Sequence, residues 1–559
     1  MQRLIPFALA LLLFQQHQDH GQFGTVHFTN SCSAAAQAAF ARGMALLHSF
    51  EFEPAIDAFT TANEVDPSCG IALWGIGLAQ WGNPFAIGGR PREQLQAGRA
   101  TVQHAIAVGA KTPRERDFIA AAGALYANFE TVDQRTRMVA YRSAMEHVAA
   151  TYPDDPEAVA FYALALAAAA DPADKTYADQ LKAGAMLEKL WAAQPEHPGL
   201  AHYIIHSYDV PALAPKAIEA ARRYAAIAPD SPHALHMPSH TFTRLGYWED
   251  SIQTNIRAAA AAHKVGVTYE ELHATDYEVY AYLQTGRDTT ARQLMESVPG
   301  ILASAGTSAM GGAAPANAAA YATAAIPARY ALERGAWADA ERLDIHRGAY
   351  AYTEAITWFA RALGAARNGD LAVAKDAADQ LQKNTDRLIK EKEAYWAEQV
   401  SIQKLGASAW IALGEKRTDE ALALMREAAD REDRIDKSPV TPGPLAPARE
   451  LLGEMLLELK RPKDALVEFR KTMVKEPNRF RTLAGAARAA SQSGDRSAAR
   501  QYYAQLLKIC EKADTPGRPE LQAARATTRA EADYLTRTRK SLPPASVPAR
   551  VSVAGRSRS

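Results

Sequence analysis

Hydrophobic residues recur three and four positions apart almost throughout this chain, the spacing that lays one apolar stripe along an α-helix. The stretch from Gln37 to Pro67, QAAFARGMALLHSFEFEPAIDAFTTANEVDP, shows the unit: two striped helices, a short turn, then proline. Alternating Val/Ile/Thr runs of the strand type are few, and alanine, the strongest helix former, is heavily used. The pattern predicts an all-α protein. A chain of 559 residues is too long for one hydrophobic core unless repeated units add length without enlarging any core.

Repeated units are what the sequence holds. Counted from Ala36, Gly43 stands at position 8, Ala55 at 20, Phe59 at 24, Ala62 at 27 and Pro67 at 32. Counted from Ala446, Leu452, Gly453, Ala465, Phe469 and Pro477 fall at 7, 8, 20, 24 and 32, and a further unit starts at Phe480 with Ala499 and Tyr503 in place. Looser copies are phased by Ala340, Ala374 and Ala421, while 70 to 195 keeps helical hairpins but loses the period. This grammar resembles the tetratricopeptide repeat (TPR), a helix-turn-helix of about 34 residues. Small residues let its two helices approach, an aromatic fills the gap to the next repeat, and proline ends the second helix. The resemblance implies an α-solenoid with a concave groove. Its expected parts are an N-terminal solenoid over 30–300, central repeats over 316–435 and C-terminal repeats over 446–514. The stretches 300–316 (GILASAGTSAMGGAAPAN) and 436–446 (DKSPVTPGPLA) read as breaks between repeats, the first as a flexible loop over the concave face.

Charge narrows the partners. Lys plus Arg and Asp plus Glu both number 63, so no global positive field draws nucleic acid, which is not expected as a partner. Arg3 followed by the apolar run Leu4 to Phe14 predicts a signal peptide over 1–20, too short to span a bilayer, and hence export to a periplasm or the exterior; no clean small-x-small cleavage site follows, so a retained anchor or a misread start codon is the alternative. No other stretch predicts a membrane span. The tail 541–559, rich in Pro, Ser and Arg, reads as disordered. In an exported protein Cys32 and Cys69 could form a disulfide, or stand as two small buried residues; Cys510, on an apolar face, reads as core.

Three stretches, AHYIIHSYD, HALHMPSHTF and HATDY, hold six of the 15 histidines. Phasing one unit from Pro198 and the next from Pro232 puts His202 and His206 at positions 5 and 9, and His236 and His240 at the same positions one repeat later. Positions 2, 5, 9 and 12 share one helix face, which in tetratricopeptide proteins lines the groove. Asp209 falls at position 12 and His233 at position 2; a third unit puts His273 at 2, Asp276 at 5 and Tyr280 at 9. Imidazoles at i and i+4 can share an ion, so His202, His206, His236 and His240 are candidate ligands of a divalent transition metal. Zinc, copper, nickel and iron all suit imidazole. More than four histidines would permit two ions. Asp209 and Asp276 are candidates for orienting the rings or acting as general base, with His233, His273 and Tyr280 beside them in the groove. The competing reading is a polar groove that hydrogen-bonds a peptide. Pro238, at position 7, predicts a kink or an unwound turn between His236 and His240. His48 could face the groove, and Glu450 and Glu454, at positions 5 and 9 of a late unit, read as solvated.

HYIIHSYD, HALHMPSHTFTRLGYW and the opening SCSAAAQAAFARGMALLHSF further resemble a group of bacterial exported tetratricopeptide-repeat proteins, over roughly 25 to 480. That resemblance implies the fold and export and lends no mechanism. The functional expectation is a scaffold that binds a protein or peptide in its groove; the alternatives are a metalloprotein, as hydrolase or oxidase, and a structural assembly factor.

Overall fold

A computed structural model describes residues 21–529 except 87, 88, 305–311, 315, 346 and 349. The expected signal peptide, the expected disordered tail and much of the 300–316 break lie outside the described residues. Among the described residues all regular structure is helical, and consecutive helices pack each on the next in a TPR-like solenoid.

The repeat pattern has a direct steric reading. Phe59 is wedged between Gly43 of its own hairpin and Gly75 of the next helix; a Cβ at either glycine would stand 2.7 or 2.6 Å from the ring. Phe469 repeats the arrangement between Gly453 and Gly485, where the distances would be 2.8 and 2.4 Å. In both places a small residue on each side lets one aromatic ring join two repeats.

Cys32 and Cys69 form a disulfide with Cα atoms 4.9 Å apart, tying the segment before Gln37–His48 to the start of Gly70–Trp81. Cys510 is buried and free. The first coil of the solenoid closes on itself, because helix Gln37–His48 packs against helix Pro198–Ser207. The groove is therefore not open at the histidines.

One expectation, that Glu450 and Glu454 are solvated, needs correction. The 436–446 break carries no helix and crosses the interior. Tyr277 Oη donates to the carbonyls of Pro439 and Thr441 at 3.1 and 3.2 Å, and Arg329 Nη2 donates to Thr441 Oγ1 at 2.7 Å. Glu450 and Glu454 are not solvated. Arg479, 0% exposed, lies against Glu333 at 2.7 Å, Glu450 at 3.1 Å and Tyr280 Oη at 2.7 Å, and Glu454 pairs with Arg367 at 2.9 Å and with Arg481.

Helix Thr268–Gln284 carries a further buried acid, Glu278, whose carboxyl is pushed up to about 8 by burial. Folded, it keeps its proton up to that pH; unfolded, it releases it near 4.5. Its contribution to stability is thus complete below the unfolded value and is lost as pH rises toward 8, by at most about 1.4 kcal/mol per unit. Glu278→Gln is expected to match the wild type in denaturant unfolding at pH 4.5 and to be more stable by about 4 kcal/mol at pH 8. Equal stability at both pH values would contradict this.

Candidate metal centre

Three helices supply the histidines. Pro198–Ser207 opens with proline at its first position and carries His202 and His206. The second begins at Pro232, where Ser231 caps it by accepting from Ala234 N at 3.1 Å, and it is interrupted at Met237. Pro238 then starts Pro238–Leu245, and His240 N donates to Met237 O at 3.1 Å, a tightened turn in place of the helical bond. The sequence predicted this break. It lies between His236 and His240, and Nε2 of these two rings are 3.1 Å apart. The third helix, Thr268–Gln284, brings in His273.

All six rings are buried, His206 at 8% and His273 at 7% being the most exposed. They form two sets. One ring nitrogen from each of His202, His206 and His233 lies within 4.8 Å of the others, and the same holds for His236, His240 and His273. The sets adjoin, with His206 and His240 centroids 6.2 Å apart and those of His233 and His236 6.4 Å apart. The four rings expected around one point thus divide two and two, and His233 and His273, expected beside the ligands, complete the sets. The intact turn from His233 to His236 puts these two rings in different sets, while His240 joins His236 across the break.

Asp209, expected to orient the rings or act as general base, accepts from His240 Nδ1 at 3.0 Å. Asp276 and Tyr280 pair with arginines instead. Asp276 faces Arg329 Nε at 2.9 Å, and Tyr280 Oη accepts from Arg479, so both face residues far along the chain rather than the imidazoles. Burial raises the Asp276 carboxyl, against the pull of Arg329.

Oxygen atoms fix most of the ring orientations. His202 Nδ1 donates to His48 O at 2.8 Å, His236 Nδ1 to Asn255 Oδ1 at 2.7 Å and His240 Nδ1 to Asp209 Oδ2 at 3.0 Å. Glu270 Oε1 lies 3.7 Å from His233 Nδ1. Asn255 cannot turn its amide over, because its Nδ2 donates to Ser251 O at 2.8 Å. The proton of His236 and that of His240 are therefore both on Nδ1, and each Nε2 presents a bare lone pair. Those two lone pairs face each other. His202 Nε2 and His233 Nε2 are similarly close, at 3.2 Å.

Protonating the rings does not resolve this at neutral pH. Burial, then the neighbouring imidazoles, hold His202, His206 and His236 well below the usual histidine range, and burial brings His273 down to about 3. Asp209 stays ionised: burial opposes this, but Lys437, Arg244 and the His240 hydrogen bond hold its carboxyl well below the usual range.

A third group, His48, Glu157 and His197, also brings three such atoms within 4.8 Å; there Glu157 holds both rings, while His197 Nδ1 is buried without a hydrogen-bond partner. Glu157 accepts from His48 Nε2 at 3.0 Å and from His197 Nε2 at 2.9 Å, while Tyr203 Oη donates to His48 Nδ1 at 2.9 Å. Its role is positional, because the His48 carbonyl holds His202. Gly199 belongs to the same packing, since a Cβ there would stand 2.3 Å from His48 Nδ1.

A cavity of ≈ 30 Å³ is bordered by His206, His233, His240 and His273 and closed by Phe85, Met237 and Val440. Phe85 stacks on His206 with centroids 4.1 Å apart and planes 11° from parallel. Of the residues sequence reasoning missed, Asn255 left a detectable signal: it occupies position 24 of its unit, where Phe59 and Phe469 stand in theirs. Glu270, Phe85 and Lys437 left none, being placed by contacts far along the chain.

No family model matches the chain, and no curated protein matches it. Among solved structures it is similar to the human IFIT1 dimer with PPP-AAAA, at 10% identity and TM-score 0.37, over 83% of this chain and 94% of that one. It is also similar to the APC/C hetero-tetramer Cut9-Hcn1, at 11% identity and TM-score 0.35, over 89% of this chain and 90% of that one.

Proposed function

We propose that this protein is an exported metalloprotein whose six buried histidines hold two transition-metal ions, three imidazoles to each. The observation that carries the reading is the His236–His240 pair, two tautomer-fixed acceptors 3.1 Å apart in a buried site. Two facing lone pairs repel, and a buried polar atom without a partner costs about 1–3 kcal/mol; a cation between them turns both into ligands. His206 Nε2, buried and without a hydrogen-bond partner, extends the same argument to the first set.

Copper fits this donor set best. All six ligands are neutral, and the nearby carboxylates Asp209 and Glu270 lie behind the rings on Nδ1. A carboxylate-poor, buried site favours an ion of low charge, and imidazole suits copper in both oxidation states. Three protein ligands leave room for a further ligand on each ion, and the ≈ 30 Å³ cavity has space for a molecule of water or dioxygen size. Oxidation of a small molecule is the chemistry this arrangement supports. Export is supported by the Cys32–Cys69 disulfide, a bond that persists in oxidising compartments.

A protein or peptide docked along the histidine stripe has less support, because it would have to displace Phe85 and the 436–446 segment from a buried site. Elemental analysis of untagged protein from cells supplied with copper, zinc, nickel and iron tests the proposal. About two ions per chain, mainly copper, are expected; protein that carries no metal and takes up none on titration would overturn it.

A further inference from the structure

Outside His206 lies a chamber of ≈ 610 Å³, a size suited to a small organic ligand. Its lining mixes apolar residues, Phe85, Met138, Ala167 and Val210 among them, with charged ones, Arg135, Glu391, Lys392 and Glu393 beside Asp209, Asp436 and Lys437. The polar groups at that end are not all paired. Asp209 already accepts from His240 Nδ1, from Arg244 Nε at 2.9 Å and, at its main-chain oxygen, from Arg244 Nη2 at 2.8 Å. Asp436, next along the chain, pairs with Lys175 at 2.6 Å.

Lys437 is left over. Its side chain is 7% exposed, its Nζ is 3.9 Å from Asp209 Oδ1, beyond hydrogen-bond range, and it has no hydrogen-bond partner. A buried ammonium without an acceptor is costly, and the carboxylates that act on it, Asp209 and Glu476, make no hydrogen bond to it. An anionic group entering the chamber would supply the missing acceptor.

We infer that this chamber takes a small organic acid, its carboxylate against Lys437 Nζ and its apolar body along Met138, Ala167 and Val210, beside His206. Calling that acid a substrate rests on the metal reading; its binding does not.

The test is calorimetric titration of the full-length protein with benzoate, as purified and again after chelation, with neutral benzamide as the comparison. Benzoate is expected to bind both preparations, and at least about tenfold more tightly than benzamide, the worth of a charge-assisted hydrogen bond. Lys437→Met is expected to lose that preference and Lys437→Arg to keep it, with circular dichroism confirming that each folds. Equal affinity for benzoate and benzamide, an unchanged Lys437→Met, or binding that vanishes on chelation would overturn the inference. The benzamide comparison decides on wild-type protein even where a variant fails to fold. Metal-loaded protein that ignores benzoate would sink the chamber and leave the metal reading standing; protein that carries no metal, takes up none on titration and still binds benzoate would do the reverse.

Discussion

Replacing His202 and His206 together by alanine is expected to lower the metal content from about two ions per chain to about one, and His236→Ala with His273→Ala to do the same at the other set. The reason is the partition of the rings. Each pair removed belongs to one set of nitrogens within 4.8 Å, and the remaining set keeps all three members and its orienting partners. One imidazole cannot hold an ion against chelating buffer, so each double variant should lose its own site nearly completely. Combining the four substitutions should leave protein with essentially no bound metal. If either double variant lost both ions, the two sets would be one site; if neither lost any, the histidines would not be the ligands. Asn255→Leu offers a milder check, because it frees His236 Nδ1 and should weaken only the second site, by about 10- to 100-fold.

Arg479→Met is expected to be the most damaging single change outside the histidines, costing about 3–5 kcal/mol in denaturant unfolding. Arg479 is wholly buried between Glu333 and Glu450, themselves buried, and donates to Tyr280. Removing it leaves two carboxylates to share a site with no cation between them. It would also loosen the start of the helix at Phe480, whose N donates to Gln284 Oε1 at 2.9 Å on the helix that bears His273. Adding Glu333→Met and Glu450→Leu to Arg479→Met should recover most of the loss, since apolar groups of similar volume can replace a buried ion cluster. A loss below about 1 kcal/mol for Arg479→Met would show that the cluster is solvated in the folded protein.

The solenoid was legible because its information is local. The Gly43–Phe59 and Gly453–Phe469 pairs are written into single repeats at fixed spacing, and the steric contact follows from them. The histidine stripe was legible for the same reason, as was the break at Pro238. Its division into two sets was not, because that depends on how tightly the coil closes and on the path of the chain through Met237. Asp276 and Tyr280 had the right register for the groove, yet Arg329 and Arg479, 53 and 199 residues away, face them instead. The 436–446 stretch looked like a break because its prolines and glycine bar a helix. The same residues leave the carbonyls of Pro439, Thr441 and Pro444 free to accept from Tyr277 and Arg329 inside the protein.

The placement of the two histidine sets also bears on how the solenoid holds together. The first set joins helix Pro198–Ser207 to the turn that begins at Pro232; the second joins that broken helix to Thr268–Gln284. Each straddles a different seam between neighbouring repeats, and in a solenoid such seams are where opening begins and spreads. Ions bound there would act as two rivets on consecutive seams, and the Pro238 break, lying between them, would be clamped from both sides. The middle of the coil would then be its stiffest part, with fraying confined to the repeats on either side.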